Sequence, residues 1–246
     1  MNNSEFHYGK NFYGSIVLNP TTLANIAASQ RLWKELLSFH KLLATDEYVE
    51  YLDHFYREGI KRFKNNWYYM DIINVLYAAS ITIKPENYLE IGVRRGRSVC
   101  TVARGCPNVN IIAFEMWQKN YAGMENPGPD FVRNELKKNK HTGKITFIDG
   151  NSHVTVPEFF KQNQDMRFDL ITVDGDHSEE GAYKDLCDVI PHLATGGVIV
   201  FDDIVHPMHL YLLSVWRRVL DKFPYLSSFE YIESGYGVAF AIRRSE

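Results

Sequence analysis

Cysteine is scarce. The chain has three in 246 residues, Cys100, Cys106 and Cys187. An odd, scattered set excludes a disulfide framework and shows no zinc-ligand spacing, so these residues read as small buried hydrophobes in a reducing compartment. Long apolar runs are also missing. Nothing approaches the ~18–20 consecutive apolar residues of a membrane span, and the start, Met1–His7, is polar and holds no signal-type apolar region. Positive charge is not in excess: 27 Lys and Arg stand against 30 Asp and Glu, for a net charge of −3. That leaves no electrostatic case for a nucleic-acid or anionic-membrane partner. There is no internal repeat and no low-complexity tract. The expectation is a cytoplasmic protein whose partner is a small molecule.

The composition, 45% hydrophobic and 23% charged, is that of a globular protein. The length suits one core domain with an appendage. Residues 1–20 read as an arm. From Thr21 the pattern is helical, with Thr21 or Thr22 as the expected cap. Leu32, Leu36, Phe39 and Leu43 form one amphipathic stripe, and Val49, Leu52, Tyr56, Ile60 and Phe63 a second. Ile73, Leu76 and Tyr77 form a third, short one. Residues 1–85 are therefore expected to be an arm and helical cap, whose helices could also mediate a homo-oligomer contact.

At Asn87 the period changes. Continuous apolar runs at Tyr88–Ile91, Ile111–Phe114, Ile145–Ile148, Leu170–Val173 and Val198–Phe201 have the look of strands buried on both faces of a parallel sheet. Helix-length segments separate most of them, which argues for an α/β doubly wound sheet. Ser227–Ile232 and Tyr236–Ile242, joined by Glu233-Ser234-Gly235, read as a closing β-hairpin. The expected fold is a mostly parallel, seven-stranded Rossmann-like sheet over residues 86–246, ending in an antiparallel hairpin.

Polar residues gather at the predicted strand ends. Glu90-Ile91-Gly92-Val93-Arg94-Arg95-Gly96-Arg97-Ser98 follows the first strand. Its glycines permit a tight turn, and the next helix start offers free N–H groups. The spacing is Gly-x-x-x-Gly, not the Gly-x-Gly-x-x-Gly of a dinucleotide site. Glu115 ends the second strand, where a carboxylate can accept from both ribose hydroxyls. Asp149-Gly150-Asn151-Ser152 follows the third strand. The most specific signal is Asp174-Gly175-Asp176-His177 after the fourth strand, with Asp202-Asp203 after the fifth. Carboxylates crowded at one sheet edge repel unless compensated. A hard divalent cation, Mg²⁺ or Mn²⁺, held by Asp174, Asp202 and Asp203 would compensate them. Asp185 and Asp188 fall at helical spacing and read as a solvated face, and His192 as structural.

Together these segments resemble the class I S-adenosylmethionine-dependent methyltransferases, from about Asn87 to Arg243. The Asp-Gly-Asp-His and Asp-Asp segments are similar to those of a narrower branch of metal-dependent small-molecule O-methyltransferases, which includes sugar methyltransferases. Arg94 departs from the family pattern, standing where the commoner turn has an additional glycine. Asn151 stands where many members carry Asp. The resemblance implies that Glu90, Gly92, Gly96 and Ser98 hold the methionine end of the cofactor. It also implies that Glu115 binds the ribose, that Met116 or Trp117 packs on adenine, and that Asn151, Ser152 and Asp174 border the cofactor. The Gly- and Pro-rich segment Tyr121–Asp130 would close over the ligands.

The expected reaction is O-methylation of a sugar or sugar-nucleotide hydroxyl in polysaccharide or natural-product biosynthesis. A hydroxyl acceptor needs a base. His177, with a neutral imidazole near pH 7, is the first candidate, His206 the second and Asp176 the third. An amine or phenol acceptor stays open, as does a nucleotide-binding α/β protein that transfers no methyl group.

Overall fold

Strand residues alternate between two hydrophobic clusters, and this alternation builds the molecule. The computed structural model describes residues 5–6, 15–120, 123 and 125–244. A small ribbon pairs β1 (Glu5–Phe6) with β2 (Ser15–Ile16). The main sheet contains β3 (Asn87–Ile91), β4 (Asn110–Glu115), β5 (Ile145–Asp149), β6 (Phe168–Val173), β7 (Leu193–Asp202), β8 (Leu226–Tyr231) and β9 (Val238–Arg243). Their order is β5-β4-β3-β6-β7-β9-β8, with β9 antiparallel to both β7 and β8 and the other pairs parallel. This is the expected seven-stranded sheet with its terminal hairpin.

Tyr88, Leu170, Val198, Val200 and Phe240 face one cluster. Leu89, Ile91, Ile171, Val173, Ile199, Phe201 and Ala241 face the other. Successive side chains on a strand point to opposite faces, so each inner strand is apolar throughout. β5 is the exception among the five runs. It lies at the sheet edge and is only partly buried, because it has a neighbour on one side alone.

The region read as one helix from Thr21 is two: α1 (Pro20–Ala27) and α2 (Gln30–His40). Asn19, not Thr21 or Thr22, caps α1, its Oδ1 accepting from Thr22 N at 2.9 Å with Pro20 in the first turn. Ser29 interrupts the run by capping α2. α3 (Glu47–Phe63) starts at Asp46, and α4 (Ile72–Ile83) at Asp71. α4 was expected to be a short stripe. It is instead buried almost all round, and Ile73, Val75 and Leu76 join Tyr88, Val99 and Val198 in one cluster. The hydrophobic core thus runs continuously across residue 85.

The other helices are α5 (Arg97–Gly105), α6 (Pro129–Lys138), α7 (Ser152–Gln162), α8 (Glu179–Val189) and α9 (Leu212–Lys222). α7, α8 and α9 cover the second face. Because β3 pairs with β4 on one side and β6 on the other, the strand order reverses at β3. The crevice beyond the carboxyl ends of β3 and β6 is where open α/β sheets place ligands.

Candidate active site

The turn after β3 is set by backbone crowding. Gly92 has φ 91°, and a Cβ there would lie 1.9 Å from the Asp174 carbonyl oxygen, so the tips of β3 and β6 touch only because residue 92 is glycine. Arg94, the residue in place of a family glycine, adopts φ 46°. That left-handed backbone costs an L-residue roughly 1–2 kcal/mol. Compensation comes from Glu115, whose Oε2 accepts from Val93 N at 2.7 Å and Arg94 N at 2.9 Å, and from Asp46, which pairs with the Arg94 guanidinium at 3.1 Å.

A cavity of about 740 Å³ opens at this edge. Gly92, Ser98, Glu115, Met116, Asn151, Ser152, Asp174, Asp176, His177, Asp202, Asp203 and His206 all line it, so most of the sequence-predicted residues converge on one space. Gly96 stands behind, starting α5 and packed against Val132.

Two further expected cofactor residues do not reach the cavity wall. Glu90 is sealed beneath the turn, 0% exposed, accepting from the hydroxyls of Tyr88 and Ser98. Burial, against the opposing effect of those hydrogen bonds, pushes its carboxyl up to about 8. Trp117 turns away with φ 52°, packs edge-on against Phe147 and donates from Nε1 to Asp149 at 2.7 Å. Met116 occupies the cavity side instead, 57% exposed. Glu115 is already well engaged, since its Oε1 also accepts from Trp117 N at 2.9 Å and Asn126 Nδ2 at 3.3 Å. Asn151 caps α7 through His153 N at 2.9 Å. Of the Tyr121–Asp130 segment, Tyr121, Ala122 and Met124 lie outside the described residues. Glu125 pairs with Arg95 at 2.6 Å, and Asn126 lines the cavity.

The acidic cluster is arranged differently from the expectation. The donor atoms that gather within 4.8 Å of one another belong to Asp174, His177 and Asp203, not to Asp174, Asp202 and Asp203. Asp202 ends β7, whereas Asp203 leaves the strand with φ 60°, so the two carboxylates do not project together. His177 Nε2 sits 3.5 Å from Asp174 and 3.3 Å from Asp203. Burial disfavours its charge, but the hydrogen bonds and charges of the two carboxylates outweigh burial and push it up to about 11. In this state the imidazole is protonated at pH 7 and cannot take a proton, contrary to the neutral base expected. Burial, then the charges of Asp203, Asp174 and Asp71, raise Asp202 well above the usual carboxylate range.

Asp176 is committed elsewhere. Its Oδ1 accepts from Ser178 N at 2.7 Å and its Oδ2 lies 3.5 Å from His153. His206 lines the cavity, with its ring 4.3 Å from Tyr236. Asp185 is not on a solvated face. It is fully buried near His153 and Gly175, and burial pushes it up to about 6; Asp188 is half-buried. His192 stacks on Phe160 at 3.5 Å, a packing role as expected.

Among the cavity residues, Tyr48, Asp71 and His209 had no sequence signal for a site. Asp71 before an apolar run is legible as a helix cap but not as a wall of a cavity. His209 stacks on His177 at 5.4 Å.

Residues 89–204, from β3 into the turn after β7, match the family described as a methyltransferase domain. These residues carry a methyltransferase domain, with the fold of S-adenosylmethionine-dependent methyltransferases. Solved structures agree on the fold of this methyltransferase. Apo CalS11, a TDP-rhamnose 3′-O-methyltransferase of calicheamicin biosynthesis, is 20% identical with a TM-score of 0.54, over 92% of this chain and 94% of that one. The O-methyltransferase TomG of Streptomyces achromogenes, in complex with S-adenosylmethionine, is 16% identical with a TM-score of 0.56, over 88% and 99%. An O-methyltransferase of Bacillus cereus, in complex with S-adenosylhomocysteine, is 15% identical with a TM-score of 0.54, over 88% and 92%. At these identities the likeness is one of fold. No curated protein matches the sequence. Among the described residues, no helix is long and apolar enough to cross a membrane.

Proposed function

We propose that this methyltransferase O-methylates a small polyhydroxylated acceptor, a sugar or sugar nucleotide, with help from a divalent cation. One observation carries the reading: the glycine turn, Glu115 and the Asp174–His177–Asp203 cluster meet around a single cavity. Its volume lies within the range of small-molecule sites.

S-adenosylmethionine, when bound, supplies an electrophilic methyl carbon on sulfur. The Gly92–Ser98 turn and Met116 would hold its ends. The ribose would meet Glu115 on its Oε1 side, replacing the 3.3 Å bond from Asn126, the longest of that carboxylate's four. Asn151 and Ser152 would border the adenine.

The donor set fits a hard cation, with clustered carboxylates whose repulsion protonated His177 relieves in this structure. Asp174 and Asp203 would hold the ion, with Asp202 beside them, and a bound cation lowers the pKa of an acceptor hydroxyl. His177, with Nε2 3.3 Å from Asp203, would in its neutral form be placed to accept the proton of the acceptor hydroxyl. His206, on the same cavity, is the second candidate for that role. The free state of all three cysteines fits a reducing compartment such as the cytoplasm.

Calorimetric titration tests the reading. S-adenosylhomocysteine should bind the metal-stripped protein with a micromolar-range Kd, about −8 kcal/mol. Mg²⁺ should bind wild type and not Asp203→Asn. Folded protein that binds no S-adenosylhomocysteine in any condition refutes the assignment. If S-adenosylhomocysteine binds and Mg²⁺ does not, the metal reading falls and the cofactor site stands.

A further inference from the structure

The cap side of the cavity holds a carboxylate that the cofactor and cation readings leave unused. We infer that Asp71 recognises the acceptor, its carboxylate taking a hydrogen bond from a second hydroxyl or an amine next to the oxygen that is methylated. The inference rests on the O-methyltransferase reading above.

Tyr48 and Asp71 come from the cap, while Asp202, Asp203 and Tyr236 come from the sheet end and hairpin, and all five line the cavity. They are close enough to act on one another. Burial, then the charges of Asp71, Asp202, Asp203 and Tyr236, raises the Tyr48 hydroxyl above its ordinary range. These groups therefore share one chamber.

Asp71 is held rigidly. Its Oδ2 accepts from Tyr56 OH at 2.6 Å, and Tyr56 is fully buried with its ring 4.6 Å from Trp33. Its backbone N–H donates to Asn74 Oδ1 at 2.7 Å, and its carboxylate accepts a first-turn N–H of α4 in return. A carboxylate has about four acceptor positions, so these two bonds leave capacity for a ligand. Helix capping alone does not explain an acid here, because Asn or Ser would cap equally well. An ionised group also suffers from burial and from the charge of Asp203, offset in part by Arg97. A ligand with a hydrogen-bond donor at this point repays that disadvantage. Val49, Leu52 and Ile72 complete the wall with apolar surface. The acceptor class that fits carries two adjacent donors, a vicinal diol or an amino alcohol. One donor meets the Asp203–His177 side, the other Asp71.

The test uses the full chain with Mg²⁺ and S-adenosylmethionine. The probes are TDP-rhamnose, UDP-glucose and catechol, each paired with the analogue lacking one of its adjacent hydroxyls. Wild type should methylate at least one diol and discriminate against its partner analogue. Asp71→Asn keeps the helix cap and the Tyr56 bond. It should leave S-adenosylhomocysteine affinity within about twofold, raise KM for the diol about 10- to 100-fold, and erase the discrimination. The inference is overturned if no diol is accepted by wild type that binds S-adenosylhomocysteine. It is equally overturned if KM is unchanged in the variant, or if S-adenosylhomocysteine affinity falls as far as acceptor affinity, which would put Asp71 at the amino-acid end of the cofactor. Failure of wild type to bind S-adenosylhomocysteine instead refutes the methyltransferase reading itself.

Discussion

Replacing Glu90 by Gln should change how stability depends on pH. Glu90 has no exposed surface, and its carboxyl is pushed from an ordinary 4.5 up to about 8, chiefly by burial and with added repulsion from Asp174 and Glu115. Between those two values the folded protein keeps a proton that the unfolded chain has released. Stability is therefore full below pH 4.5 and falls as pH rises toward 8, with a slope of about 1.4 kcal/mol per pH unit from this group. From pH 5.5 to 7.5 the loss is about 3 kcal/mol, a large share of a typical folding free energy. Gln presents the neutral shape to Ser98 and Tyr88 and does not titrate. Urea unfolding of the ligand-free wild type and Glu90→Gln, followed by circular dichroism at half-unit pH steps, isolates the effect as the difference between two curves. The variant should gain on wild type by about 3 kcal/mol across that window, or roughly 6–12 °C in Tm. Parallel curves, or a gain of opposite sign, would show that Glu90 is ionised in the fold and that its hydrogen bonds outweigh burial.

Two further substitutions probe the site and the core. Met116→Ala should weaken S-adenosylhomocysteine binding roughly fivefold, the loss of about 1 kcal/mol of apolar contact, whereas Trp117→Phe should leave it unchanged by calorimetry, because Trp117 packs on Phe147 away from the cavity. Leu76→Ala empties a fully buried position of α4 that shares a cluster with strand residues. It should cost about 3 kcal/mol and still give one cooperative melting transition, whereas separate melting of residues before and after 85 would contradict a continuous core.

The sheet was legible in the sequence because its signal is local. Strands buried on both faces must be apolar throughout, and the change of period at Asn87, the runs through Phe201 and the hairpin after Ser227 register that requirement residue by residue. Gly92 and the strand-end acids were legible for a similar reason, since the carboxyl ends of neighbouring parallel strands bring their next residues to one edge.

What the sequence left open depends on direction and on distant neighbours. Met116 and Trp117 are adjacent in the chain, and only the left-handed backbone at Trp117 sends one to the cavity and the other to Phe147. Asp202 and Asp203 read as a pair, but the end of β7 falls between them, so Asp203 joins His177 and Asp202 does not. The charge His177 carries without a cation depends on two carboxylates, one of them 26 residues away in the chain. Asp185 looked solvated at helical spacing until α8 packed it beneath Gly175. Asp71 and Tyr48 carried no site signal in the sequence, because the wall they form exists only once the N-terminal helices fold over the sheet. The sequence by itself determined the strands and the edge at which ligands bind, through hydrophobic period and turn chemistry. Tertiary structure decided which polar side chains face the cavity and which carry a proton, because both are set by groups far apart in the chain.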